Sequence, residues 1–488
     1  MRLTGSFLLK YIFPRIQDAL FITLLIAVAN QGPFLLNADG DLGRHITIGN
    51  YIAEARTIPT RDIFSHTMNG ERLVPHEWLA QWTLSRVHAW MGLSGVVLLI
   101  AILIATTFTL TYREMLRRNV FHLLALPVAV LAAYASSLHW LARPHVFTFL
   151  FVALWTYQLE NKKTRWWFCP IIMLLWANTH GAFIAGFVIW GAHMAGWLWD
   201  FLQKQSDRET GIRLALIGAA SFVVTFINPA GWHLWDTSLG YFGSQFLVDQ
   251  TIEYQSPNFH NWSTWPFLIM LTICLLALGS SVKLRTHEGF LLAGWTALSL
   301  YSARNIPLFA IITAPYVAMS VQNLIQKFSV LKRIDEVIIN VEKNQRGIVL
   351  PVLAIAYIAG AIIFQIEPNT ADQFKPDKFP VQAMDWLEAN PQEGRMFNNF
   401  IWGGYILYRM WPQEQVFIDG QTDFYGEALT REYTRVMSVE EGWQDVLNKY
   451  NVTWVIVQSD KPLVKTLQDE LKWKLVYRDE TATILHAP

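Results

Sequence analysis

Eleven apolar stretches constrain this chain more than any other feature. They run over 16–36, 93–112, 121–140, 145–159, 166–177, 181–201, 212–229, 265–281, 288–302, 306–323 and 347–366. A membrane span needs about 20 apolar residues, fewer where polar protein caps it or breaks it. Each stretch therefore reads as a transmembrane helix. Composition agrees: of 488 residues, 53% are hydrophobic and 16% charged, against about 25% charged in ordinary soluble domains. Lysines plus arginines and aspartates plus glutamates both number 38, so net charge gives no sign of a nucleic-acid partner. Cys169 and Cys274 lie far apart in apolar stretches, which predicts buried free thiols rather than a disulfide framework.

Eleven spans put the two termini on opposite sides, and basic residues choose the sides. Arg2, Lys10 and Arg15 precede the first stretch. Arg113, Arg117, Arg118, Lys162, Lys163, Arg165, Lys204, Arg208, Arg213, Lys283, Arg285, Lys327, Lys332, Arg333, Lys343 and Arg346 fall in the alternate loops on the same side. The short opposite loops hold only Arg143 and Arg304. The expectation is a polytopic α-helical protein of the cytoplasmic membrane with about eleven transmembrane helices. Its N-terminus is inside, its C-terminus outside, and its first span is retained rather than cleaved. Residues 1–366 form the membrane domain, in which 37–92 is a first external loop. In that loop, 79–90 reads as an amphipathic helix lying on the membrane surface, with a shorter helix over 46–55.

From about residue 367 the composition becomes that of a soluble domain, 367–488, external by this topology. Helices are predicted over 382–389, 402–410, 427–437, 441–450 and 463–471. Strands are predicted over 395–398, 415–419 and 453–457, with a closing hairpin of 473–478 and 481–486. Alternation of this kind implies a small α/β layer.

The chemistry concentrates in the first loop. It reads Asn37-Ala-Asp-Gly-Asp-Leu-Gly-Arg-His45, then Ile58-Pro-Thr-Arg-Asp-Ile-Phe-Ser65, then Pro75-His-Glu-Trp78. The outer ends of later spans add Arg143-Pro-His145, Asn178-Thr-His180, Asn228 to His233 and Arg304-Asn305, and the loop before residue 265 offers Glu253. Ionisable groups gathered at one depth of a membrane protein are functional candidates. Asp39 and Asp41 are the candidate catalytic acids: a carboxylate can take the proton of an attacking hydroxyl. Extended backbone would point both to one side, whereas a tight turn at Gly40 would separate them and leave one as the base. Arg44, His45, His76, Glu77, Arg143, His145, Asn178, His180, Arg304 and Asn305 are the candidate substrate and phosphate ligands, since guanidinium forks bind phosphate oxygens bidentately. A divalent cation, Mg or Mn, would fall to Asp39 or Asp41. The competing structural readings are helix caps for Asp39, Asp41 and the His76-Glu77 pair. For His193, deep in a span, the reading is an interhelical hydrogen bond. Asp419 and Asp423 read as residues that end a strand and shape a turn.

The pattern Asp39-Gly-Asp-Leu-Gly-Arg-His45, with Ile58 to Ser65 and His76-Glu-Trp-Leu79, resembles the first outer loop of GT-C superfamily membrane glycosyltransferases. Arg143-Pro-His145, Trp176 to Gly181, Ala303 to Pro307, Asn399 to Tyr405 and Phe417 to Asp423 resemble later motifs of bacterial members. The likeness covers nearly the whole chain. It implies a polyprenyl-phosphate-linked sugar donor, an acidic first-loop residue as general base, an external active site and two membrane-surface helices. The acceptor would be a lipid, a glycan or a protein. Several relatives have adjacent acids where this chain has Asp-Gly-Asp. Rival readings are a ligase of lipid-linked oligosaccharide, a transporter or flippase, and an assembly subunit.

Overall fold

The computed structural model describes residues 10–161, 165–240, 245–278, 284–325, 329–365 and 372–488. Arg2, Lys162, Lys163, Lys283 and Lys327, used above to orient the chain, lie outside the described residues, as does the expected boundary at 366–367. Every one of the eleven apolar stretches contains a helix. In chain order the helices are α1 (Ile16–Ala29), α2 (Asp41–Ala55), α3 (Trp78–Arg117), α4 (His122–Ser136), α5 (His145–Glu160), α6 (Phe168–Ala177) and α7 (Ile184–Leu202). Then come α8 (Arg208–Val224), α9 (Trp265–Leu278), α10 (Thr286–Tyr301), α11 (Ile306–Ile325), α12 (Ser329–Glu342) and α13 (Val349–Ile363). By length and composition, four segments among the described residues are long and apolar enough to cross a membrane: Trp78–Arg117, His122–His139, Gly181–Leu202 and Ala303–Ile325. The chain is a membrane protein, and its apolar core and apolar outer surface follow from that. Phe108, Phe149, Phe309 and Trp155 are fully buried between helices, while Trp199, Val223 and Leu276 face outward. Both cysteines are free and buried, as expected.

The first loop departs from its expected form in one important way. The helix expected over 46–55 begins at Asp41, so Asp41, Arg44 and His45 are helical and buried rather than loop residues. The helix expected over 79–90 starts at Trp78 and joins the next span across a kink. Gly92 breaks its direction with φ 64° and ψ −163°, a conformation open only to glycine without strain. Residues 78–91 and 93–117 are thus two segments joined at an angle.

The C-terminal part carries a four-stranded sheet in the order β1 (Arg395–Asn398), β2 (Val452–Gln458), β4 (Ala482–His486), β3 (Lys474–Arg478). β1 runs parallel to β2, and the other pairs are antiparallel. Around it lie α14 (Val381–Ala389), α15 (Gly403–Met410), α16 (Thr422–Met437), α17 (Trp443–Lys449) and α18 (Pro462–Asp469). Val455, Val457, Leu463, Leu467 and Leu485 fill the core on one side. The strand expected over 415–419 does not form. Its backbone is used elsewhere: Val416 N–H donates to Phe64 O (3.1 Å) and Val416 O accepts from His66 N–H (3.0 Å), while Asn398 Oδ1 accepts from Phe417 N–H (2.8 Å).

These bonds belong to a larger contact between the first loop and the C-terminal part. Gln415 Nε2 donates to Ile63 O (3.0 Å), and Thr67 Oγ1 donates to Phe417 O (2.6 Å). α15 lies against α2 backbone to backbone. A Cβ at Gly40 would fall on Ile401 O, one at Gly43 on Gly404 O, and one at Gly404 on Gly40 O. No side chain fits between the two helices there.

Candidate active site

Arg143 is the hub. It stands between α4 and α5, in a turn that Pro144 closes at the start of α5. Its Nη1 lies 3.2 Å from Asp39 Oδ2 and 3.2 Å from Glu253 Oε1, and its Nη2 pairs with Asp41 Oδ2. One guanidinium therefore bridges three carboxylates contributed by the start of α2, the turn before it, and the loop between α8 and α9. The two aspartates are not equivalent. Asp39 keeps 27% of its side chain open, while Asp41 keeps 8%. Asp39 Oδ1 also accepts from Asp41 N–H (3.0 Å), so Asp39 combines the capping reading with a place in the cluster.

Burial pushes the Asp39 carboxyl up to about 6 against the pull of Arg143, with Asp41 and Glu253 adding to the rise. Burial works against the Arg143 charge too, but Asp41, Asp39 and Glu253 outweigh it and hold the guanidinium firmly protonated. Glu253 is also desolvated, yet Arg143 and Arg304 draw it down to about 2. Two neighbouring acids thus have opposite tendencies, the pattern that separates an acceptor of protons from a fixed charge.

A second hub is Glu77, just before α3. Its Oε1 is 3.9 Å from His76 Nε2 and 3.8 Å from His180 Nε2, and its Oε2 is 3.8 Å from His45 Nδ1. The tautomer of His180 follows from its partners. Nδ1 accepts from Ala182 N–H (3.4 Å), a group that can only donate, and contacts Thr148 Oγ1 (3.0 Å). Thr148 Oγ1 in turn accepts from Trp176 Nε1 (2.9 Å), leaving its own proton for His180. The His180 Nε2 proton then faces Glu77. Burial, with Arg304 nearby, holds His180 well below the usual imidazole range. Burial, followed by Arg44 and Arg143, does the same for His45.

The C-terminal part closes the site from the other side. Arg44 Nη1 donates to Gln421 Oε1 (3.0 Å), and its Nε lies 3.6 Å from Asp419 Oδ1. Gly420 sits against Asp41: a Cβ there would fall on Asp41 Oδ1. Asp419 accepts from Gln421 N–H (2.8 Å) and Tyr425 OH (3.2 Å), so it does shape a turn. Burial raises its carboxyl to about 6 against Arg44.

The remaining candidates divide by what their polar atoms do. Arg304 contacts Tyr254 OH and lies over the Tyr254 ring at 5.0 Å, close enough to Glu253 and His180 to influence both. His145 Nε2 donates to His139 O (2.7 Å), and the His145 and His180 rings are 6.3 Å apart. Asn178 is used structurally: Oδ1 accepts from Trp78 Nε1 (2.7 Å), and Nδ2 donates to Leu174 O and Ile227 O (both 2.9 Å). Asn305 Nδ2 donates to Leu298 O (3.0 Å) at the end of α10. The reading of the sequence left Glu253, His139, Gly420 and Gln421 out of the candidate set. Glu253 stands in the sequence as an acid in the loop before α9, and Gly420 and Gln421 lie within the Phe417 to Asp423 motif.

The three acids around Arg143 do not bring three ligand atoms within 4.8 Å of one another. Among the described residues, the group of His, Cys, Asp or Glu that brings three ligand atoms within 4.8 Å of one another is Glu160, His193 and His287, away from this site. Asp39 and Asp41, the acids to which a divalent cation would fall, share the Arg143 guanidinium.

No protein-family model matches the sequence, and no curated protein matches it. Solved structures do. The Archaeoglobus fulgidus oligosaccharyltransferase in the apo form is similar at 13% identity and a TM-score of 0.60, over 91% of this chain and 69% of that one. The archaeal oligosaccharyltransferase AglB from the same organism, in complex with an inhibitory peptide and a dolichol-phosphate, is similar at 13% identity and 0.59, over 90% and 69%. ArnT from Cupriavidus metallidurans in the apo state is similar at 13% identity and 0.49, over 96% and 97%. The oligosaccharyltransferase likeness extends over nine-tenths of the chain. This chain has the fold of the archaeal oligosaccharyltransferase.

Proposed function

We propose that this chain is a glycosyltransferase that moves a sugar from a polyprenyl-phosphate-linked donor to an acceptor hydroxyl at the outer face of the cytoplasmic membrane. Asp39 acts as the general base. The observation that carries the reading is the Arg143 hub: a part-open carboxylate near neutrality, beside a buried one, on a guanidinium at the rim of a helical bundle. A base is most useful when its pKa lies near the working pH, and Asp39 meets that condition at about 6. The acceptor oxygen bonds to the anomeric carbon as the bond from that carbon to the phosphate oxygen breaks, and the hydroxyl proton passes to Asp39. The departing polyprenyl phosphate carries the electron pair away. Arg304 and Arg143 stabilise the charge that develops on it, as guanidiniums do for phosphate oxygens. Asp41, locked against Gly420 and Arg143, fixes the geometry of the loop. The donor chain lies among membrane lipids, and the acceptor is a lipid, a glycan or a protein. Asp39 and Asp41 are held by Arg143, and the steps above are carried by this chain's own residues.

The scarcity of basic residues in the short loops bearing Arg143 and Arg304 supports the outer-face orientation. A polyprenyl phosphate is also what the archaeal neighbour binds, in the form of dolichol-phosphate. That neighbour's activity supports a second reading, transfer of a whole lipid-linked oligosaccharide.

The test uses membranes containing Asp39→Asn or Asp41→Asn and a labelled polyprenyl-phosphate sugar. Asp39→Asn should abolish transfer while the protein still accumulates and binds donor. Normal turnover by Asp39→Asn would remove the assignment. A labelled lipid-linked oligosaccharide in parallel separates the two readings by which donor is consumed.

A further inference from the structure

A second constellation stands at the other end of the bundle. Glu160 closes α5, about 23 Å along the helix from His145 at 1.5 Å per residue. Its Oε1 lies 3.1 Å from His287 Nε2, at the start of α10, and 3.7 Å from His193 Nε2, in the middle of α7. All three ligand atoms lie within 4.8 Å of one another. Ligand atoms about 2.0–2.1 Å from a tetrahedral zinc stand about 3.3 Å apart, and the two measured separations bracket that value.

The site is built rather than accidental. Gly196, one turn from His193 on α7, lets α10 approach so closely that a Cβ there would lie 2.6 Å from the His287 backbone nitrogen. The His193 and His287 rings are 4.3 Å apart. His193 is buried at 5% exposure, and its Nε2 makes no hydrogen bond among the described residues. A separation of 3.7 Å from Glu160 is too long for one. A buried imidazole nitrogen left unpaired is destabilising, and metal coordination would satisfy it.

The surroundings complete the picture. Arg118 Nη2 reaches Glu160 Oε1 at 3.2 Å, and Arg285 Nη2 contacts Glu160 Oε2. A carboxylate oxygen has two lone pairs, so Oε1 can ligate a metal and still accept from Arg118. Outer partners of this kind orient metal ligands. The arginines do not make the cluster cationic, because Arg118 also pairs with Glu114 (3.0 Å) and Glu288 (2.6 Å), and Arg285 with Glu288.

We propose that Glu160, His193 and His287 bind a zinc ion that ties α5, α7 and α10 together at the end of the bundle opposite the Arg143 hub. Two imidazoles and one carboxylate suit zinc rather than the all-oxygen preference of magnesium or calcium. A water fills the fourth position. This site is independent of the proposed transfer chemistry, about 20 Å along α7 from His180 at 1.5 Å per residue.

The experiment takes full-length protein in detergent, saturates it with zinc, desalts it, and measures metal by mass spectrometry. Parallel samples are loaded with cobalt(II) for visible spectroscopy. The expected result is about one zinc per chain and a tetrahedral cobalt spectrum. Both should be lost in His193→Gln and in His287→Gln and kept in Asp39→Asn. Wild-type protein that retains far less than one zinc per chain and shows no tetrahedral cobalt band overturns the proposal, whatever the variants do. Equal zinc retention by wild type and by a chain carrying both His193→Gln and His287→Gln also overturns it.

Discussion

Replacing Arg143 with methionine gives the sharpest test of the proposed base, because the change acts on a pH profile and not only on a rate. The guanidinium lies 3.2 Å from Asp39 and lowers a pKa that burial has raised to about 6. Taking charge centres about 4 Å apart and an effective dielectric of 20–40, the attraction is roughly 2–4 kcal/mol. At 1.36 kcal/mol per pH unit that corresponds to roughly 1.5–3 units. Asp39 is about a quarter open to solvent, and screening brings the expectation to roughly one to two units. The sign is fixed: a favourable charge is removed, and Asp41 and Glu253 remain as like charges, so Asp39 holds its proton to higher pH. The acidic limb of kcat/KM, expected near 6 in the parent, should move to roughly 7–8. The assay is initial-rate transfer from labelled polyprenyl-phosphate sugar between pH 5 and 9, at saturating and limiting donor. A lower rate with an unmoved limb would refute the reasoning, since Arg143 would then act on the phosphate alone and Asp39 would not be the titrating base.

Three further changes probe the rest of the site. Gly420→Ala pushes a methyl group onto Asp41 without touching a substrate; overpacking of about 1–3 kcal/mol should lower kcat about tenfold to a hundredfold and leave donor KM near its parent value. Parent-like turnover would show that the C-terminal loop does not position Asp41. Asn178→Ala removes bonds to Trp78, Leu174 and Ile227, so Tm should fall by an amount matching about 1–3 kcal/mol at unchanged donor KM. A raised KM at unchanged Tm would make Asn178 a substrate ligand after all. EDTA should leave transfer intact while Arg143 holds the acids; a loss reversed by Mg or Mn but not by zinc would show that Arg143 surrenders Asp39 and Asp41 to an ion during turnover.

Apolar runs and turn residues made most of the helical architecture legible. Each predicted stretch contains a helix, and β1 fell on the predicted 395–398. What escaped was set by contacts distant in sequence. Asp41 is helical although Gly40 and Gly43 weaken a helix by local propensity. Their reason for being glycine is the backbone of Ile401 and Gly404, which no local pattern announces. The segment 415–419 holds a short apolar run like that of a buried strand, but its hydrogen bonds go to Phe64, His66 and the Asn398 side chain. Within the site, charge and position at span ends brought out Arg143, His180 and Arg304. They did not reveal that Arg143 would be shared among three acids, or that Asn178 and Asn305 would be consumed by the scaffold. Glu160, His193 and His287 belong to three separate helices, with nothing in their spacing to relate them.

The all-backbone seam of Gly40, Gly43 and Gly404 has a temporal meaning. Side chains that mesh loosely can be repacked or bypassed, but two main chains in direct touch leave nothing to adjust. Synthesis reaches the first acids early and Gly420 very late. On the proposed function, a chain cut short before residue 420 would carry the first acids without the loop that sits against Asp41.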